Sequence, residues 1–442
     1  MNRPTLTIFY QLDPWNPTIG GIQTCINYLF KYVPEAFQLR LVGISREAWG
    51  IGRWRTAELH GRSFEFMPLL RIQDDNVRGL IPTTLKYTLA LSRHQFQSDF
   101  LQFHRLEPSL VARSWSGHKI LYIHNDIFQE IKGDHAKGGI LWKFFPWAYF
   151  ALERSLVGQF DQILSCNSNS VQLYQARYPG VADRVSYLRN TFDSDRFYPL
   201  AAAARYQARQ ALAQSMGLAE DTRFILFAGR LHPQKDPLLL IRAMAALRHP
   251  QAHLLVVGKG ELEPEIRAEI KRQGLVGQVS LLGAVQQSTL ADLYRLADLF
   301  VLTSAYEGLA RGSLEALACG TPVVTTRSGE TPSFLAADSG IVCEVREPGA
   351  IATAWAEVLQ HPQGYPSSAC VRVATPYEAR QVIQSLYGAL LRDWQAQKMA
   401  SQLLLGTGND WASGQSSQAS QAGDGTINGA STGASAWVRD RE

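Results

Sequence analysis

Residues 299–326 read "LFVLTSAYEGLARGSLEALACGTPVVTT". The run Leu299–Ser304 is short, apolar and nearly unbroken. A turn, "AYEGLA", follows; then comes an apolar helical stretch closed by Gly320, and a second apolar run, "TPVVTT". Runs that are continuous rather than alternating suit strands buried on both faces, and a helix between two of them makes a strand–helix–strand unit. The same stretch carries Glu307 and Glu315, with seven residues between them. The rest of the chain shows what two carboxylates do in so apolar a setting.

Comparable runs recur along the chain. In the first half they are "TLTIFY", "LRLVGI", "FLQFH", "KILYIHN", "DQILSCN" and "RVSYLRN". In the second half they are "RFILFAGR", "HLLVVGKG", "VSLLG", "LFVLTS", "TPVVTT" and "GIVCEV". Helical patterns such as "DPLLLIRAMAALR" separate them, and this alternation predicts α/β architecture with doubly wound parallel sheets. At 442 residues the chain exceeds one ordinary core. Two groups of six strands therefore predict two Rossmann-like domains facing a central cleft. The expected divisions are 1–196, 197–375, a closing helix over 376–400, and a disordered tail over 401–442 rich in Gly, Ser, Ala and Gln.

The bulk properties narrow the function. A net charge of +4 is too small to argue for nucleic acid. Its excess lies in residues 1–200, with 22 Lys and Arg against 17 Asp and Glu. Five scattered cysteines with no Cys-x-x-Cys pair fit a reducing compartment. "MNRPTLTIFYQL" lacks the apolar core of a signal peptide, and "GGILWKFFPWAYFALERSLVG" is broken by Lys143, Pro146, Glu153 and Arg154. A cytoplasmic location is expected.

Ligands bind doubly wound sheets at the carboxyl ends of the strands, so the residues there matter most. The first strand leads to Gly20–Gly21 before a helix, where a backbone can approach an anion closely. His124 ends "KILYIH" and either contacts a ligand or ties its own loop; His104 ends "FLQFH" in the same way. Arg230 and Lys235, five residues apart in "GRLHPQKD", suit a diphosphate. Gly258 and Gly260 end the next strand and are candidate contacts to the same ligand, but Glu263 stands where a third dinucleotide-binding glycine would be, which argues against an NAD-dependent dehydrogenase. Glu307 lies in the turn and Glu315 in the helix, where burial demands strong donors such as vicinal ribose hydroxyls. Between them Leu309, Ala310 and Arg311 offer backbone N–H groups at a helix N-terminus. No Asp-x-Asp or His/Cys cluster falls at a strand end, so no metal and no resident cofactor are expected.

Taken in this order, "GRLHPQKD", "VVGKGEL" and "ADLFVLTSAYEGLARGSLEALACGTPVV" resemble the retaining nucleotide-sugar glycosyltransferases of family 4, with the GT-B fold. The resemblance implies that Arg230 and Lys235 hold the donor diphosphate. Glu307 would contact the transferred sugar, Glu315 the nucleotide ribose, Gly20 and Gly21 the diphosphate side, and His124 the reacting centre. The donor would be a UDP- or GDP-linked sugar and the acceptor a glycan, a lipid-linked glycan or a small molecule, with leaving phosphate helping to deprotonate it. Departures are Gln23 for the frequent Glu, Gly308-Leu309-Ala310 for the common turn, and Ser333 for a further Glu. They bear on the donor's identity more than on activity. The remaining readings are a GT-B epimerase, which would need acidic residues on the N-terminal side, and an inactive binding scaffold.

One aromatic cluster stands apart. Trp142, Phe144, Phe145, Trp147, Tyr149 and Phe150 fall within nine residues, near Lys132, Lys137 and Lys143. So many rings cannot all share one helix face, and rings beside cations suit peripheral contact with an anionic membrane. The alternative is a helix burying one face in the core.

Overall fold

A computed structural model describes residues 3–16, 21–47, 50–72, 82–124 and 145–412, with side chains as far as residue 402. The chain divides into two compact units, Met1–Ala389 and Leu390–Glu442, and both sheets lie in the first. The N-terminal sheet is built from β1 (Thr5–Phe9), β2 (Gln38–Ser45), β3 (Arg55–Leu59), β4 (Arg62–Arg71), β5 (Phe100–Phe103), β6 (His118–Ile123), β7 (Gln162–Ser165) and β8 (Val185–Tyr187). Its helices are α1 (Gly21–Tyr32), α2 (Thr83–Leu91), α3 (Pro146–Leu156) and α4 (Ser168–Arg177). The strand order is β3-β4-β2-β1-β5-β6-β7-β8, parallel except between β3 and β4.

The second sheet uses β9 (Arg223–Ala228), β10 (Ala252–Val257), β11 (Val279–Gly283), β12 (Leu299–Leu302), β13 (Val323–Thr326) and β14 (Gly340–Cys343). Its helices are α5 (Ala202–Ser215), α6 (Pro237–Leu247), α7 (Glu263–Arg272), α8 (Gln287–Leu296), α9 (Arg311–Ala318), α10 (Thr331–Phe334), α11 (Pro348–Gln360) and α12 (Ser367–Ala374). The order is β11-β10-β9-β12-β13-β14, all parallel. This is the doubly wound order in which the chain reverses direction at the centre, here between β9 and β12. In the first sheet the reversal falls between β1 and β5.

Both faces of the second sheet are buried, which explains its unbroken apolar runs. Ile225 and Phe227 of β9 pack on one side with Leu240 and Trp355. Phe224 and Leu226, out of phase by one residue, pack on the other with Tyr294 and Leu314. Each such buried side chain contributes about 1.5–3 kcal/mol from lost apolar surface.

Two strands were not expected. β3 and β4 form a hairpin whose turn residues His60 (φ 55°) and Gly61 (φ 71°) both take left-handed conformations, the type I′ geometry. β3 has no fully buried position, so it lacks the continuous apolar run that marks its neighbours.

The chain passes between the halves twice, and the passes touch. Phe192 N–H donates to Tyr377 O (3.1 Å), and Ala379 N–H donates to Phe192 O (2.9 Å). The closing helix α13 spans Ala379–Ala412, past residue 400, at which the composition places the start of the tail. "SQLLL" over 401–405 retains good helix formers, and the glycine-rich composition sets in only afterwards. The remainder of that expected tail, 413–442, lies outside the described residues. Among those described, no helix is long and apolar enough to cross a membrane.

Candidate functional site

The reversal point between β9 and β12 brings two loops together. Arg230 follows β9, and Lys235 closes a 3-10 turn, Pro233–Lys235, that leads into α6. Asp236 starts that helix in a left-handed conformation (φ 45°) and accepts from Leu239 N–H (3.2 Å). From β12, Thr303 Oγ1 donates to Lys235 O (2.9 Å), and Ala305 N–H donates to Gln234 O (2.8 Å). These bonds hold the Lys235 loop against the Glu307 turn. Lys235 Nζ pairs with Glu307 Oε1, to which Ser304 Oγ also donates (2.6 Å). Arg230, by contrast, is exposed and has no side-chain partner among the described residues.

Gly258 and Gly260 act on this loop from beneath. A Cβ on Gly258 (φ 138°) would lie 1.8 Å from Gly229 O, and one on Gly260 would lie 2.2 Å from Leu231 O. Their requirement for glycine thus comes from the backbone that carries Arg230. Leu231 N–H donates to Lys259 O across the same contact (3.0 Å).

Glu315 is buried within α9. Burial raises its carboxyl above the ordinary range, opposed by the Arg311 charge and a hydrogen bond from Tyr294. Gly312 makes this possible, because a Cβ there would meet Phe300 Cζ and the Tyr294 hydroxyl at 2.9 Å. Leu309 and Ala310 are buried ahead of α9, and Ala310 supplies no side-chain cap. The helix therefore opens with backbone N–H groups lacking a capping side chain.

Residues from the first sheet close over these loops. Gly21 opens α1, and its carbonyl accepts from Arg311 Nη1 (3.3 Å). Arg311 also lies over the Tyr28 ring, 4.9 Å from its centroid, and its Nη2 is buried with no partner among the described residues. Gly20 lies outside the described residues. His124 leaves β6 with its carbonyl 3.4 Å from where a Gly308 Cβ would stand. Asn167 Nδ2 donates to Gly308 O (3.4 Å), and Ser168 donates through Oγ to Glu330 Oε1 (2.7 Å). Gly329 (φ 64°) lets the Glu330 loop cross the Glu307 turn, since a Cβ there would lie 2.5 Å from Gly308 O.

The structure thus gathers His124, Glu307, Lys235, Arg311 and Glu315 about facing strand ends. Asn167, Ser168 and Glu330 join them and had no signal in the sequence beyond following apolar runs. Among the described residues, no group of three or more His, Cys, Asp or Glu is placed to hold a metal ion.

Comparison with known proteins shows what the chain is similar to. Residues 208–370 match the family model of the glycosyl transferases group 1. D-inositol 3-phosphate glycosyltransferase 2 of Catenulispora acidiphila is 33% identical over 229 residues, 49% of this chain and 52% of that protein. Mannosylfructose-phosphate synthase of Agrobacterium fabrum is 37% identical over 148 residues, 31% of each chain. The chain spans about half the length of the first curated relatives it matches. Among solved structures, sucrose-phosphate synthase from Thermosynechococcus elongatus superposes with TM-score 0.71 at 17% identity, covering 89% of this chain and 100% of that one. Anabaena HepE in complex with UDP-glucose gives TM-score 0.64 at 18% identity, covering 88% and 100%. At these identities the likeness to solved structures is one of fold: two Rossmann-like domains facing a cleft, as in GT-B glycosyltransferases.

Proposed function

We propose that the chain is a retaining hexosyltransferase of family 4. It takes a UDP- or GDP-linked sugar and a glycan, lipid-linked or small-molecule acceptor, as in polysaccharide or glycoconjugate biosynthesis. The observation that carries this reading is the Lys235–Glu307 pair on loops at strand ends of one sheet, with His124, at a strand end of the other, against Gly308 of the same turn. Similarity to the relatives named above supports it.

Donor diphosphate enters beside Arg230, whose charge has no partner among the described residues, and draws Lys235 from Glu307. Released from Lys235, Glu307 accepts from hydroxyls of the sugar. Glu315 takes the ribose hydroxyls, which supply the donors its burial requires. The α9 N-terminus and the Gly20–Gly21 loop line the phosphates, with Leu309, Ala310 and Arg311 contributing backbone N–H groups. In the reaction the bond from the anomeric carbon to phosphate oxygen breaks, and the acceptor oxygen bonds to the same face of that carbon. The acceptor proton passes to the departing phosphate. Arg230 and Lys235 stabilise the charge that develops there, without a metal.

Five free, buried cysteines support a reducing, cytoplasmic setting, at the inner membrane face where the acceptor is lipid-linked. We keep the domain junction at residue 197 and the helical return to the N-terminal domain over 376–400 as part of the proposal. The test is thermal stabilisation by UDP, GDP and ADP side by side, followed by transfer assays with the matching sugars. A ligand at 100 times its dissociation constant adds about 2.7 kcal/mol to the folded state. Stabilisation by none of the three would overturn the reading.

A further inference from the structure

The ends of β5 and β6 carry more than His124. Side chains alternate along a strand, so Gln102 and His104 share one face of β5, and Tyr122 and His124 share one face of β6. The two strands are parallel neighbours, with Gln102 beside Ile120 and Phe103 beside Leu121. Three rings stack at this edge. His104 lies 5.5 Å from Tyr122, Tyr122 lies 4.2 Å from His124, and the two histidines are 5.0 Å apart, all within 19° of parallel.

A hydrogen-bonded chain runs through the stack. Tyr387, on α13, donates its hydroxyl to Gln102 Oε1. Gln102 Nε2 lies 2.8 Å from His104 Nε2, and His104 Nδ1 lies 2.7 Å from His124 Nε2. Gln102, His104 and Tyr387 are buried, and water does not compete for these bonds. Burial pushes His104 down to about 3, so its ring is neutral and has one N–H. Burial, His104, Arg311 and Arg105 together hold His124 well below the ordinary histidine range.

With both rings neutral, the direction of the chain can be worked out. The Tyr387 phenol proton has no other acceptor among the described residues, and leaving a buried donor unsatisfied is costly. It therefore goes to the amide oxygen of Gln102, which turns the amide NH2 toward His104 Nε2. His104 Nε2 must then accept, so the His104 proton sits on Nδ1 and is donated to His124 Nε2. The His124 proton is left on Nδ1, an atom with no partner among the described residues.

We propose that Tyr387, Gln102 and His104 are positioning residues that fix the proton of His124 on Nδ1, so that His124 meets the bound ligand as a hydrogen-bond donor. Its other nitrogen is occupied by His104 and is closed to proton transfer. His124 thus recognises an acceptor oxygen, as on a sugar hydroxyl or a phosphate, and does not act as the base. The ligand's identity rests on the glycosyl-transfer reading above; the position of the proton is a property of the free protein.

The test has two arms. Long-range 1H–15N correlation spectra of histidine-labelled protein read the tautomer directly, with His124→Phe assigning the resonances. The expected result is the Nδ1–H form of His124 in the native protein and a mixture of forms in Tyr387→Phe. In transfer assays, Tyr387→Phe and Gln102→Leu lower kcat roughly two- to tenfold, the range of one net hydrogen bond, and leave UDP affinity unchanged. Neither adds a loss in a His124→Ala background. An Nε2–H form of His124 in the native protein overturns the proposal. So does a Tyr387→Phe protein that keeps the native tautomer and kcat, or one that loses melting temperature and UDP affinity together. If the native protein transfers no sugar, the activity reading fails, and the spectra alone decide the position of the proton.

Discussion

At the scale of single residues, the two glutamates of the opening stretch are placed for different work. Glu307 already has a cation, Lys235, whereas Glu315 is buried against Arg311 and Tyr294. Glu315→Ala is expected to weaken UDP binding about 10- to 100-fold, the range for hydrogen bonds to a charged group. Glu307→Ala frees Lys235 for phosphate, so it should spare binding and lower transfer. Titration calorimetry with UDP beside a transfer assay separates the two, and equal losses of affinity would refute the division. The raised carboxyl of Glu315 carries a stability consequence as well. The folded chain holds that proton more tightly than the unfolded one. This contribution is therefore complete below the unfolded value, 4.5, and is lost as pH rises through the raised one. Melting temperature should fall less steeply with pH above 4.5 in Glu315→Gln than in the native protein. Some slope persists in the variant, because burial raises Glu153 in the same sense. Parallel curves for the two proteins would show that Arg311 offsets the burial of Glu315 in full.

At the scale of elements, the runs that read clearly from sequence are those with both faces buried, because burial leaves one unbroken apolar string. β9, β10 and β12 are of this kind. The β3–β4 hairpin escaped because its outer strand is half exposed and its turn places His60, not Asn or Gly, at the first left-handed position. Glycines were read as ligand contacts from their place at strand ends. At Gly258 and Gly260 a backbone crossing by itself demands glycine, a cause that no single-sequence pattern discloses. Gly260→Ala should accordingly cost about 1–3 kcal/mol, the usual range for overpacking, and weaken UDP binding by displacing Arg230. A urea midpoint unchanged from native would contradict this. The aromatic cluster divides as its spacing requires. Tyr149 is buried, while Phe145 and Trp147 at the start of α3 are exposed. Trp142, Phe144, Lys132, Lys137 and Lys143 lie outside the described residues. If α3 meets an anionic membrane, Trp147→Ser should reduce sedimentation with anionic vesicles at low salt. Vesicle binding that is absent in the native protein at every salt concentration would leave the exposed rings without that role.

At the scale of the whole molecule, the contacts that join the two sheets were the least readable, because each depends on residues far apart in the chain. Charged strand-end residues were visible as candidates; the partners that bring them face to face were not. Among the bonds that join the halves in the described residues, two groups differ in what they hold. One lies at the crossing of the chain, where Phe192 exchanges backbone hydrogen bonds with Tyr377 and Ala379, and Ser194 Oγ donates to Glu378 Oε1 (2.6 Å). The other lies over the cleft, where Asn167 and Ser168 of one half hold Gly308 and Glu330 of the other. The first is close to the chain connection and joins segments that are already tethered. The second is far from it along the sequence, so its bonds bear directly on how closely the sheets approach. Ser168 offers both its N–H and its hydroxyl to Glu330, and Glu330→Ala removes both bonds at once. Ser168 begins α4, where its N–H is one of the groups a helix leaves unbonded, and water can reach it once the halves part. The loss of stability should therefore be small, about 1 kcal/mol, while the radius of gyration in small-angle scattering rises and donor KM increases severalfold. Saturating UDP should restore the native radius, because the proposed donor site draws on residues of both halves. A variant whose radius and KM match the native protein would show that the Ser168–Glu330 bonds do not hold the cleft.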